Sequence, residues 1–253
     1  MQIGKRIGIW IRVLRALLLT FGGVPAKILN PEETVAALLN KRSLIRFGDG
    51  EFGIYQGKSI HYQPWSAELQ TAFEEMKKEY ESGSEECPFL LAVPKRFMEV
   101  GGFQLMKKRV YVSSWAQSRL DFKKNFRRDI PHGDSFLFEK NNRELYSQIW
   151  KSEKCPANVI FIHNNPVYAE QFAKTYEKNV AFIPCPASDA FSQMDALEKE
   201  VLKKIKTEGW TKDDVMLTIS AGPAGKVLVH RMSKRGFWCI DAGHCWDDPL
   251  EGI

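Results

Sequence analysis

The sequence predicts an α/β protein: a Rossmann-like, mostly parallel sheet with helices on both faces, preceded by an N-terminal amphipathic helix. Three observations predict it. Short apolar runs rich in β-branched and aromatic residues alternate with longer stretches of helical periodicity. The runs are apolar at consecutive positions, as strands covered on both faces require. No linker, repeat or low-complexity segment divides the 253 residues, of which 44% are hydrophobic and 12% aromatic, enough for one large core.

The chain opens with "MQIGKRIGIWIRVLRALLLTFGGVPAK". Arg12 and Arg15 interrupt the apolar run, leaving it short of the ~20 residues of a spanning helix, and no convincing secretory cleavage site follows. Read as a helix, Trp10, Val13, Leu14, Leu17, Leu18 and Phe21 share one stripe, with Arg12 and Arg15 across from it. That pattern suits an interfacial helix on an anionic membrane surface, through residues 5–21. It suits equally a helix docked on the protein's own core or in a dimer. Residues 1–29 are therefore read as a segment of their own, and 30–253 as the main domain.

Asn30-Pro31-Glu32-Glu33 supplies an N-cap, a proline at the first helical position and an acid at the third, predicting a helix to about Asn40. Strands follow at 43–47 ("SLIRF"), 89–93 ("FLLAV"), 158–164 ("NVIFIHN"), 179–184 ("NVAFIP"), 214–220 ("DVMLTIS") and 237–243 ("FWCIDAG"). Helices are predicted at 67–81, 141–150, 166–176, 190–208 and 225–233. The least regular stretch, 113–136, is rich in Arg, Lys and aromatics and reads as a solvated insertion or as a wall over a binding site.

Lys and Arg number 36 against 31 Asp and Glu, a formal charge of +5. This favours anionic partners mildly and is far from the concentrated basicity of a nucleic-acid binder, so no nucleic-acid partner is expected. Five scattered cysteines without a CxxC pair predict reduced thiols in a cytoplasmic protein, peripheral on the inner face of the membrane if the first helix meets lipid. Cys239, His244 and Cys245 lack the second half of a structural zinc site.

Doubly wound sheets bind ligands beyond the carboxyl ends of their strands, which directs attention to three loops. In "RFGDGEF", residues 46–52, an extended chain would point Asp49 and Glu51 to one side, a pair of hard oxygen ligands for Mg²⁺ or Mn²⁺, while Gly48 and Gly50 allow close backbone approach. Asp-Gly is equally a hairpin signal there. In "SAGPAGKV", residues 220–227, a strand, a glycine turn and a helix starting near Pro223 or Ala224 would offer backbone N–H groups to a phosphate, with Lys226 adding charge. Ser220 and Val227 depart from the nucleoside-triphosphate P-loop. "IDAGHCWDD" adds Asp241, His244, Asp247 and Asp248: His244 to bind a diphosphate or carry a proton, Asp241 to orient it or act as a base.

Taken together, these loops resemble the GT-D-type glycosyltransferases over roughly residues 30–246. "RFGDGEF" followed by "SIHYQ", "AGPAGKVL" and "IDAGH" are similar to that family's motifs in the family's order. "IPCPASDAF" is similar to a fourth segment, with Asp189 where Asn is expected, and "GDSFLFEKN" lacks an expected Ser-Arg pair. The resemblance implies transfer of a hexose from a nucleotide diphosphate sugar, typically a UDP-sugar, to a glycan or glycoprotein acceptor in cell-surface polysaccharide or protein glycosylation. It implies Mn²⁺ or Mg²⁺ held by Asp49 and Glu51, Arg46 on the diphosphate with Gly48 beside it, and Ser220, Gly222, Pro223 and Lys226 as the phosphate loop. His244 becomes an active-site residue. Stereochemistry stays open: an inverting enzyme would need a carboxylate base near the acceptor hydroxyl, for which Asp241 or Asp247 is a candidate. The rival readings are a kinase- or nucleotidase-type enzyme and a non-enzymatic membrane-surface scaffold.

Overall fold

A computed structural model describes residues 2–107 and 112–246, with side chains from residue 8 onward. Asp247 and Asp248 lie outside the described residues.

After α1 (Gln2–Leu19), the helix predicted at Asn30 forms α2 (Pro31–Leu38). Its capping box is complete: the Glu33 amide donates to Asn30 at 2.7 Å and the Asn30 amide to Glu33 at 2.8 Å. β1 (Ser43–Arg46), α3 (Asp49–Tyr55), α4 (Ala67–Ser82) and β2 (Phe89–Val93) follow, then α5 (Lys95–Glu99), α6 (Gly102–Lys107), α7 (Val112–Asn125) and the two-residue β3 (Gly133–Asp134). The second half runs α8 (Arg143–Lys151), β4 (Asn158–His163), α9 (Pro166–Tyr176), β5 (Asn179–Pro184), α10 (Met194–Thr207), β6 (Val215–Ile219), α11 (Gly222–Lys234) and β7 (Trp238–Asp241). Short 3-10 turns, Lys140–Asn142 and Ala190–Gln193, lead into α8 and α10 where the sequence predicts unbroken helices.

The seven strands form one sheet in the order β3-β2-β1-β7-β6-β4-β5, with every pairing parallel. The continuous apolar runs are the reason: β2 and β6 are buried at every position, as only strands covered on both faces are. β7 joins two half-sheets. It pairs with β1 through Leu44 and Ile240, and with β6 from Met216–Trp238 to Ile219–Asp241. The carboxyl ends of β1, β6 and β7 thus meet at the middle of one sheet edge, where chain order places the binding crevice.

Two expectations are corrected. Residues 113–136 are not an irregular insertion: most of them form α7 and β3, with Trp115, Arg119 and Phe122 buried. "GDGEF" is neither an extended strand nor a hairpin but the first turns of α3, because Glu51 at the third helical position accepts a hydrogen bond from the Gly48 amide at 2.8 Å and fixes the helix start.

The stripe expected on α1 is divided between two faces. Val13, Ala16 and Leu17 are buried; the latter two join Trp115, Ala116 and Leu120 of α7, with Phe97 and Leu105, in a second apolar cluster. Trp10, Leu14 and Leu18 stay exposed, at 67%, 56% and 64%. No helix among the described residues is long and apolar enough to cross a membrane. All five cysteines are buried thiols.

Candidate active site

A cleft of about 780 Å³ opens at the carboxyl edge of the sheet, within the range of small-molecule sites. Arg46, at the end of β1, Asp49 and Glu51 of α3, Ser220 after β6, Gly222 and Lys226 of α11, and His244 after β7 all line it. Gly48 lines it too. The three loops chosen from sequence therefore converge on one site.

Beneath the cleft lies a chain of charges. Asp241, fully buried, accepts from the Arg46 backbone amide at 3.1 Å and stands 3.2 Å from the Lys226 ammonium. The Arg46 guanidinium donates to the Asp241 carbonyl at 2.8 Å and to the Ser135 carbonyl at 3.1 Å, and it lies over the Phe138 ring. Lys226, 5% exposed, also sits 3.3 Å from Glu51. Burial alone would lower the Lys226 pKa; Asp241 and Glu51 outweigh it, so the net shift is upward and the ammonium is locked on.

This arrangement changes two readings made from sequence. Lys226 is not a loose cation awaiting a phosphate but the partner of two buried carboxylates. Asp241 has no exposed surface for an acceptor hydroxyl to reach; its carboxylate lies against the Arg46 amide and the Lys226 ammonium instead.

Two glycines follow from this crowding. Gly243 has φ +52°, and a Cβ there would clash with the Arg46 guanidinium. Gly222 has φ +54°, and a Cβ would meet the Tyr62 ring at 2.7 Å. Left-handed backbone and lack of space both demand glycine.

The Asp-x-Glu pair is also divided. Residues two apart on a helix point to nearly opposite sides, so Glu51 turns inward to Lys226 and the Gly48 amide while Asp49 stays exposed on the cleft wall. Asp49 hydrogen-bonds the Gly50 amide at 3.1 Å and the Ser114 hydroxyl. Reduced hydration and the Glu51 charge hold its carboxyl above the ordinary 3.8. Among the described residues no group of three His, Cys, Asp or Glu side chains is placed to hold a metal ion.

At the phosphate loop, α11 starts at Gly222 with no side-chain cap; Ala221 and Gly222 at this start line the cleft, whereas Pro223 has no N–H to offer and Ala224 is buried. The buried Ser220 hydroxyl finds no hydrogen-bond partner. Uncapped donors beside an orphaned hydroxyl suit an anionic ligand.

Other lining residues lie in stretches the sequence singled out without assigning the individual side chains: Tyr62 and Gln63 in "SIHYQ", and Trp115 and Phe136 in 113–136, part of which does wall the cleft. The Tyr62 hydroxyl is pushed up to about 12 by burial and the Glu51 charge. The Gln63 side chain donates to Asp189 at 2.8 Å and accepts from the Phe191 amide at 3.1 Å, clamping two distant segments. Asp189 has φ +51°, a conformation that Asn and Asp tolerate best, which explains an acid at this position. Phe97 and Trp115, stacked with centroids 4.1 Å apart, and Phe136 add an aromatic wall. Aromatic residues in 113–136 were the available signal.

A family model described as the glycosyltransferase GT-D fold matches residues 44–248. The chain belongs to the GT-D family. Among curated proteins, it is similar to glycosyltransferase GlyD of Streptococcus pneumoniae serotype 4 (strain ATCC BAA-334 / TIGR4), at 24% identity over 233 residues, covering 84% of this chain and 26% of that protein. It is also similar to the probable glycosyl transferase Gly of Streptococcus gordonii, at 22% over 229 residues, covering 86% of this chain and 32% of that one. The GT-D chain thus spans about a quarter to a third of these relatives' length. A solved structure described as the domain of unknown function 1792, with a distinct glycosyltransferase fold, superposes with a TM-score of 0.71 at 19% identity over 93% of this chain and 83% of that one. A glycosyltransferase of the same domain from Streptococcus sanguinis gives 0.68 at 21%, over 88% and 83%. The GT-D fold therefore accounts for the parallel sheet.

Proposed function

We propose that this GT-D domain transfers a hexose from a UDP-sugar to a hydroxyl of a glycan or glycoprotein acceptor, in the assembly of cell-surface polysaccharide or glycoprotein. The observation that carries the reading is the uncapped start of α11 at a cleft large enough for a nucleotide sugar, beside the buried and unpartnered Ser220 hydroxyl.

In the reaction the bond from the anomeric carbon to the diphosphate oxygen breaks with its electron pair staying on UDP. The acceptor oxygen bonds that carbon and its proton goes to His244, the exposed titratable group of the closing loop. The Ala221 and Gly222 N–H groups at the start of α11, Ser220 and Arg46 bind the diphosphate and stabilise the charge that grows on it. Asp241, through Arg46 and Lys226, keeps those groups in place.

A divalent cation fits Asp49 together with donor phosphate oxygens and water, the usual manner of Mg²⁺ binding. A carboxylate held above its normal range by reduced hydration and by the Glu51 charge gains from such a cation. Glu51 joins only if its oxygen leaves Lys226. When bound, Mn²⁺ or Mg²⁺ would act as a Lewis acid on the leaving diphosphate.

The expected result is that UDP with Mn²⁺ raises the melting temperature, by the equivalent of about 2.7 kcal/mol at a hundredfold excess over Kd, and that a UDP-hexose is slowly hydrolysed. Stabilisation by ATP in preference to UDP would favour the kinase-type reading.

We also propose that the exposed face of α1 meets an anionic membrane surface, which would place the domain peripherally on the cytoplasmic side. The support is an apolar strip, Trp10, Ile11, Leu14 and Leu18, flanked by exposed Arg12 and Arg15. Trp10→Ser with Leu14→Ser should abolish sedimentation with vesicles containing anionic lipid and leave the melting temperature within about 2 °C, because neither side chain is buried. Undiminished sedimentation would refute it.

A further inference from the structure

A second cavity, of about 370 Å³, lies where α1, α7 and α3 with the segment after it meet. Among the described residues Asp49 alone lines both this groove and the main cleft. We infer that the groove is the acceptor site, that its occupant is a saccharide, and that the reacting hydroxyl passes Asp49 to reach the donor. The inference rests on the glycosyltransferase reading above.

A transferase must bring two substrates to one carbon, and holding them there removes much of the entropic barrier. The phosphate-binding end of the cleft is set by α11, so the transferred sugar must project away from that end, and Asp49 marks the opening toward a second ligand. The groove's chemistry matches a polyol. Gln56, Ser113 and Gln117 supply amide and hydroxyl groups able both to donate and to accept, Arg12 and Lys58 supply donors, and buried Val13 supplies an apolar wall.

The walls are also built, not loose. The Gln117 amide donates to the Arg12 carbonyl at 2.9 Å, tying α7 to α1. Lys58 donates to Gln56, whose amide in turn donates to Asp121, fixing the side chain that faces the groove. The hydrogen bond from Ser114 to Asp49 ties α7 to the junction itself. α1 therefore contributes one wall of a substrate site, whatever its outer face touches.

Because the native cysteines are all buried, Ser113→Cys introduces a single exposed thiol among the described residues. The experiment compares one preparation of this variant before and after labelling with a bulky maleimide. It measures UDP affinity, slow hydrolysis of the UDP-hexose, and hexose transfer to a panel of p-nitrophenyl hexosides and N-acetylhexosaminides, with products identified by mass. Labelling should cut transfer at least tenfold and leave UDP affinity and hydrolysis within twofold.

Undiminished transfer after labelling would overturn the inference, as would equal losses of transfer and hydrolysis. Hydrolysis that no glycoside diverts into transfer would overturn the saccharide assignment. Failure of the donor reading is separable, since it appears before labelling, as absence of both UDP binding and hydrolysis in the wild type.

Discussion

Lys226→Met is expected to lower stability by about 3 to 5 kcal/mol, the usual cost of removing one partner from a buried ionic group. Methionine nearly matches the lysine stem in volume, so little of this is a cavity. The cost arises because Glu51 loses its neighbour at 3.3 Å and the wholly buried Asp241 its neighbour at 3.2 Å. For a domain of this size it corresponds to a fall in melting temperature of roughly 10 °C. The dependence on pH has a definite sign. The folded Lys226 pKa lies above the ordinary 10.5, so the ammonium's stabilisation is complete below that pH and is lost only as pH rises through the folded value. Thermal melts of both proteins at pH 7 and pH 9 should show the same gap. A variant that melts like the wild type but binds UDP weakly would mean that Lys226 belongs to the diphosphate instead.

Asp49→Asn is expected to do the reverse, leaving the fold intact and removing activity. Asp49 is exposed at the first position of a short helix, so losing its charge should change stability by no more than about 0.5 kcal/mol. Donor hydrolysis with Mn²⁺ should fall by at least ~10- to 100-fold, the loss seen when mere outer partners of a metal are removed. Glu51→Gln separates the two acids of the motif. Gln can still accept from the Gly48 amide, but Lys226 keeps only one counter-charge, a loss of about 1.5 to 3 kcal/mol. The decisive comparison is Mn²⁺-dependent stabilisation in the presence of UDP. An Asp49→Asn protein that retains both this response and its hydrolysis rate would remove the cation from Asp49.

Much of the fold is legible in the sequence because it rests on local pattern. β2 is a run of five buried apolar residues, and Asn30 to Glu33 writes its own capping box. β3 escapes notice because two residues carry no periodicity, and α7 because its buried face includes the polar Ser118 and Arg119. The site is legible at the level of loops, since the carboxyl ends of strands are identifiable from the strands. The pairings inside it are not. Arg46 and Asp241 stand 195 residues apart, and nothing near either one indicates that Lys226 will take up the charges of both Asp241 and Glu51. "GDGEF" misleads for a local reason: Gly-Asp-Gly has the composition of a turn, and the helix becomes evident only once Glu51 is seen reaching back to the Gly48 amide.

β7 has a consequence for how the protein is made. Translation delivers the strands from the amino end, so β3-β2-β1 and β6-β4-β5 can each assemble as a ribbon while the last strand is still unsynthesised. Until Trp238–Asp241 emerges, the two ribbons face each other with open inner edges, and Lys226 lacks the carboxylate that arrives on the same strand. The nascent chain is thus sticky, with its central ion cluster incomplete. A ribosome that stalls just short of β7 should yield a product that chaperones retain.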